Sequence, residues 1–168
     1  MEISLQTANL HEIKTPCLVI PVLKGKSLGS IAETLDKKTR GVVSRIVALD
    51  DIKKKIGANV IINNCPGLKA DRLMLVNSGS DKGIDEVEYR KILATVAKEL
   101  SKLAATAVSS TLDQVIVLNR DNDWKIKQHA RILDTELYAF DELKTKNKRK
   151  LTKNKTKGKL AKRKLKES

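Results

Sequence analysis

The sequence predicts an α/β protein, with a mixed, mainly parallel sheet flanked by helices and a disordered or partly helical basic tail at the C-terminus. Three observations predict it. Short β-branched runs alternate with stretches of helical periodicity, the pattern left by strands joined through crossover helices. One tight Cys65-Pro66-Gly67 connection between two of those runs is too short for a crossover, so one strand pair must be antiparallel. The last twenty-five residues carry thirteen basic side chains against one acid, Glu167, and so hold +12 of the chain's net charge of +14.

Ile3-Ser4-Leu5 alternates and suits an edge strand. The runs Cys17–Val22, Asn59–Asn63, Leu73–Val76 and Val115–Leu118 are apolar nearly throughout, as strands buried on both faces are. Pro21 has no N–H to give to a ladder, so its strand is expected to be interrupted or peripheral there. Thr106–Ser109 is a weaker strand candidate beside the fourth run. Two short helices fit Leu28 to Lys37 and Val42 to Asp50, separated by Gly41. The clearest helix runs from Asp85 to about Ala104, with Tyr89, Ile92, Leu93, Val96, Ala97, Leu100 and Leu103 on one stripe. Asp85 and Glu88 have capping-box spacing, and Glu86 to Arg90 is a favourable i, i+4 pair. A last helix is expected from Asn122 or Asp123, with the stripe Ile126, Ala130, Leu133, Leu137 and Phe140. Leu143 is expected to close the folded part, giving a domain over 1–143 and a Lys-rich tail over 144–168.

With 168 residues, one domain is the default, and it is long enough to bury a core. Residues 1–143 hold 21 basic and 19 acidic side chains, the balance of an ordinary domain. The tail, by contrast, is a block of like charge that cannot collapse and acts as an interaction arm toward polyanions. Its cations are Lys144, Lys146, Lys148, Arg149, Lys150, Lys153, Lys155, Lys157, Lys159, Lys162, Arg163, Lys164 and Lys166. Leu151, Leu160, Ala161 and Leu165 punctuate it too sparsely to form the apolar face of a membrane-lying helix. Aromatic residues are limited to Trp124, Tyr89, Tyr138 and Phe140, which leaves little for base stacking and favours contact with phosphates. The chain starts without a basic region followed by a long apolar run, and no stretch reaches the ~20 apolar residues of a membrane span, so a cytoplasmic location is expected.

Chemistry-bearing constellations are few. Cys17 and Cys65 have no Cys or His at ligand spacing and read as reduced structural thiols. His11 and His129 read as surface or rim histidines, and no metal site or cofactor is expected. Ser78, Ser80, Ser109 and Ser110 lack any nucleophile context, so no catalytic residue is assigned. Trp124 reads as a packing residue at the start of the last helix, with a ligand platform as the alternative. The segment Asn77–Gly83 follows a strand and precedes a helix, the position where open α/β sheets place binding loops. Its Ser78, Gly79, Ser80 and Gly83 form a possible ligand loop. It matches neither GxGxxG nor GxxxxGK[ST], and Asp81 would repel an anion, so a plain strand-to-helix turn is the stronger reading.

Four segments in order, Ile31–Asp36, Asp71–Gly79, Asp123–Gln128 and Leu137–Lys144, make residues 1–145 resemble the N-terminal domain of the bacterial leucine aminopeptidases, also called cytosol aminopeptidases. The resemblance implies a macro-domain-like three-layer fold without catalysis of its own, since the family's two-metal chemistry belongs to a C-terminal domain. The signatures of that domain, NTDAEGR and DSGG, occur nowhere in these 168 residues, and no metal ligand carries over. Some bacterial members also bind duplex DNA, so the resemblance implies a DNA-linked role as well. The leading expectation is a non-catalytic module that binds nucleic acid, DNA before RNA, through its tail. The alternatives are a regulatory or structural module or remnant that associates with a full-length aminopeptidase or with itself, and an ADP-ribose-type ligand at the 78–83 loop.

Overall fold

The computed structural model describes residues 2–4, 9–23, 27–103, 105 and 107–135. Five strands, β1 (Glu2–Ser4), β2 (Leu18–Val22), β3 (Asn59–Asn63), β4 (Arg72–Asn77) and β5 (Ala107–Ser110), form one sheet in the order β1-β5-β2-β4-β3. The first four positions in that order are parallel, and β3 runs antiparallel to β4 across the Cys65-Pro66-Gly67 connection. The helices are α1 (Ser30–Lys38), α2 (Val42–Ala48), α3 (Glu86–Lys102) and α4 over 122–135.

Period-2 alternation in the central strands builds the layers. Val19, Met74 and Val76 face α3 and α4, where they meet Tyr89, Ile92, Leu93, Val96 and Leu133. Leu18, Ile20, Leu73 and Leu75 face the other way, onto Ala32 and Leu35 of α1 and Val43 of α2. Both sets are fully buried, which is why β2 and β4 read as unbroken apolar runs. The molecule is thus a three-layer α/β/α fold. Among the described residues, no helix is long and apolar enough to cross a membrane.

α3 begins as its sequence predicts. The Asp85 side chain accepts from Glu88 N–H at 2.7 Å, and the Glu88 carboxylate accepts from Asp85 N–H at 3.2 Å, a complete capping box. Glu86 pairs with Arg90 at 3.3 Å. Pro21 also lies where its chemistry allows. β2 pairs with β4 along its whole length but with β5 only at Leu18 and Val19, so the missing N–H of Pro21 falls where the β5 side has run out.

Several expectations need correction. Val115–Leu118 is not a strand; it makes one isolated bridge, Val117 to Ile84, and the sheet position goes to Ala107–Ser110. The cause is the 3-10 turn Leu112–Gln114, which carries the chain past the sheet's end, so that Val115 and Val117 are buried while Ile116 and Leu118 face out. β3 is half-buried rather than enclosed, because it is an edge. α1 starts at Ser30, since Gly29 at φ +80° is not helical. The cap of α4 is Asp121, whose carboxylate accepts from Trp124 N–H at 2.8 Å, in place of Asn122 or Asp123. On α4 the inward line is Lys125, half-buried, followed by the buried His129 and Leu133, and Ala130 is exposed. Leu137, Phe140, Leu143 and the whole of 144–168 lie outside the described residues.

Candidate functional site

The C-terminal ends of β2 and β4 and the turn after β5 converge on a crevice with a cavity of about 190 Å³. Pro21, Leu23, Leu28, Ile31 and Val115 give it apolar walls, and Ser78, Ser80, Asp81 and Gln114 supply polar groups. The N-terminus of α1 opens onto it through Gly29 and Ser30, and no side chain caps that helix end. This is where parallel α/β sheets hold ligands.

The 77–83 turn is occupied largely with its own hydrogen bonds. Asn77 bridges it to the neighbouring loop, donating to Lys53 O at 3.0 Å and accepting from Gly79 N–H at 2.9 Å. Ser78 is buried, and both its N–H and its hydroxyl donate to Val22 O. Lys82 N–H donates to Ser80 Oγ, and Gly83 N–H to Ser80 O. A Cβ on Gly79, at φ +86°, would come within 2.7 Å of Ile84 Cγ2, and one on Gly83 within 3.0 Å of Ile116 Cγ2. Tight packing and backbone angle thus account for both glycines. Of the four loop residues singled out from sequence, Ser78 and Ser80 line the cavity, whereas Gly79 and Gly83 shape the turn behind it.

A second cluster joins α4 to the body. Lys125 Nζ donates to the carbonyl oxygens of Asp113 and Val115, the latter at 3.1 Å. Tyr89 is fully buried and donates its hydroxyl to Leu112 O at 3.2 Å, and burial pushes its pKa up. Its ring lies 5.9 Å from that of Trp124, and the Arg90 and Arg120 guanidiniums sit 5.5 and 5.3 Å from the Trp124 centroid. Trp124 is therefore a packing residue at the rim of the core. Arg90 and Arg120 are both held by Glu86.

His129, read from sequence as a surface or rim residue, is 3% exposed, and neither ring nitrogen has a partner among the described residues. One signal was available: His129 is four residues after Lys125 and four before Leu133, the spacing of one helix face. Burial lowers its pKa, with the nearby Asp113 carboxylate opposing. The neutral imidazole is the folded form, whereas the unfolded chain takes up a proton near the ordinary value of about 6.5. Its stabilising share is present above that value and declines as pH falls through it toward the lower folded value, by at most about 1.4 kcal/mol per pH unit. Urea unfolding at pH 7.5 and 5.0 should show this loss, and His129→Leu should remove most of the difference; an unchanged difference in the variant would place the acid sensitivity elsewhere.

Cys17 and Cys65 are buried, and burial raises both thiols, Cys17 to about 11, so neither is poised as a nucleophile. Among the described residues, no three His, Cys, Asp or Glu side chains group as metal ligands.

Comparison with known proteins fits this architecture. The family described as "Cytosol aminopeptidase family, N-terminal domain" matches residues 19–147. A probable cytosol aminopeptidase of Thioalkalivibrio sulfidiphilus is 34% identical over 146 residues, which is 87% of this chain and 29% of that protein. One from Idiomarina loihiensis is 31% identical over the same shares. The chain thus spans less than a third of the length of these relatives. Among solved structures, the macrodomain of Mycobacterium tuberculosis DarG superposes with a TM-score of 0.62 at 10% identity, covering 80% of this chain and 91% of its own. A variant of tomato leucine aminopeptidase gives 0.56 at 16% identity, covering 82% of this chain and 27% of its own. These structural likenesses establish a macrodomain-like fold.

Proposed function

The chain belongs to the cytosol aminopeptidase family by its N-terminal domain, and from that premise we propose that it is a non-catalytic, cytoplasmic module that binds nucleic acid, duplex DNA first, through phosphate contacts from residues 144–168. The observation that carries the proposal is the placement of +12 of the +14 net charge in twenty-five residues. Lysine dominates that segment, and lysine meets phosphate as a flexible point charge without the planar fork that reads guanine. Affinity should therefore depend little on base sequence. Replacing Lys148, Arg149, Lys150, Lys162, Arg163 and Lys164 by Ala in the full chain should weaken binding to a 30-base-pair duplex at 100 mM salt by at least about 100-fold. Unchanged affinity in a gel-shift titration would contradict the proposal.

The crevice favours a second reading, an ADP-ribose-type ligand with its apolar part between Leu28, Ile31 and Val115 and its polar part toward Ser80 and the α1 N-terminus. Asp81 at the rim and the internally bonded 77–83 turn count against a phosphate there. ADP-ribose at one hundred times its Kd should stabilise the fold by about 2.7 kcal/mol. A melting temperature unmoved by millimolar ADP-ribose would remove this reading.

A further inference from the structure

The two edges of the sheet end it differently. β1 is three residues long and carries the charge of Glu2, and shortness and charge are two of the ways in which an edge is kept from pairing. β3, at the other edge, is the five residues Asn59-Val60-Ile61-Ile62-Asn63, with no charged side chain and no proline. Its one neighbour in the sheet is β4.

In an antiparallel ladder, successive residues turn their backbone groups alternately toward the partner strand and away from it. The phase of β3 is set just beyond both of its ends. Ala58 O accepts from Asn77 N–H at 2.8 Å, and Asn64 N–H donates to Asp71 O at 2.9 Å, so the even-numbered residues Val60 and Ile62 bond to β4. Asn59, Ile61 and Asn63 turn their N–H and C=O groups outward, where they have no hydrogen-bond partner among the described residues. The side chains are half-buried except for the exposed Asn63. Ile61 packs on the α3 side of the sheet, and Val60 and Ile62 pack on the α1–α2 side.

The strand reads nearly alike in both directions about Ile61. A second copy laid antiparallel against it, on a two-fold axis at Ile61, sets Asn59 against the partner's Asn63, Val60 against the partner's Ile62, and Ile61 against the partner's Ile61. The hydrogen-bonded pairs of that register are the odd-numbered ones, whose groups point outward, so six backbone hydrogen bonds close across the seam. A slip of one residue would face outward groups with inward ones. A slip of two would lose two of the six bonds and set Asn63 against the partner's Ile61. In the matched register, apolar side chains face apolar ones, and no like charges oppose each other.

We propose that β3 is the seam through which two copies of this chain join into one continuous ten-stranded sheet, on a two-fold axis at Ile61. The proposal does not depend on the nucleic-acid reading. Five residues a side is below the size of a standard interface, so the dimer is weak, with half occupancy on the order of 100 µM. The net charge of +14 on each copy repels the other, and salt screens that repulsion. The dimer should therefore tighten as salt rises, the opposite of duplex binding.

Sedimentation velocity of the full chain from 5 to 500 µM in 150 mM salt should show the mass rising from that of one copy toward that of two. Asn59→Lys with Asn63→Lys puts like charges opposite each other at both ends of the seam and should weaken the dimer by at least about tenfold. Asn59→Lys with Asn63→Glu puts opposite charges there and should dimerise at least as well as the wild type. Thermal melts check that both variants fold. Amide exchange of the wild-type chain reads the seam without any substitution: Asn59, Ile61 and Asn63 should slow with rising concentration, while Val60 and Ile62 are protected throughout. A chain that stays monomeric to 500 µM overturns the proposal, as does a dimer that both variants leave unchanged. Slow exchange at Asn59, Ile61 and Asn63 in the 5 µM monomer would mean that another segment or another molecule already holds the edge, which also overturns it.

Discussion

Tyr89→Ala should cost about 3–5 kcal/mol, enough to bring a domain of ordinary stability close to unfolding. Tyr89 is the largest fully buried side chain among the described residues and touches three elements at once. It projects from α3, donates to Leu112 O in the turn before Val115, and packs its ring against Trp124 at the start of α4. Truncation removes the transfer free energy of a large ring and leaves a cavity bounded by elements that cannot all collapse inward. It also takes one of two donors from Leu112 O, which keeps only the Val115 N–H at 3.2 Å. Tyr89→Phe keeps the ring and should cost only about 1 kcal/mol, the net worth of one hydrogen bond. Urea titrations of the two variants separate the contributions. A Tyr89→Ala loss below about 1 kcal/mol would mean that α4 is not docked through this residue.

The legible parts of the sequence were those in which one local rule agreed with the burial finally imposed. α3 carries a cap, a stripe and an ion pair that point the same way, and it forms as expected. β2 and β4 are apolar on both faces because helices cover both. Val115–Leu118 misled because four consecutive apolar residues resemble a doubly buried strand. Two of them, Ile116 and Leu118, are 58% and 50% exposed, and only the preceding 3-10 turn decides that. His129 misled for a related reason. A helix with polar residues on several sides leaves its buried face ambiguous, and long-range anchors fixed it, Lys125 on the Asp113 and Val115 carbonyls and Leu133 in the core. The crevice needed three dimensions altogether. Pro21, Gly29, Ser78 and Gln114 come from four separate segments, and no spacing in the chain announces their meeting.

The salt dependence of duplex binding carries the second large expected effect. Each phosphate neutralised by a cation releases condensed counterions, so log affinity falls against log salt with a slope of about −0.9 per contact. Thirteen basic groups in the tail cannot all sit on phosphates at once, and about six to ten simultaneous contacts is the expected range. Affinity should then drop by about 10³–10⁵ between 50 and 200 mM salt, while an unrelated duplex sequence changes it far less. The six-alanine tail variant should flatten the slope by several units without shifting the melting temperature of the folded body. The measurement that tests this most directly is that slope, taken on one duplex for the wild-type chain and the tail variant together. The account predicts a steep wild-type slope and a clearly shallower variant slope; two equal slopes, or a wild-type chain that does not bind duplex at 50 mM salt, would contradict it.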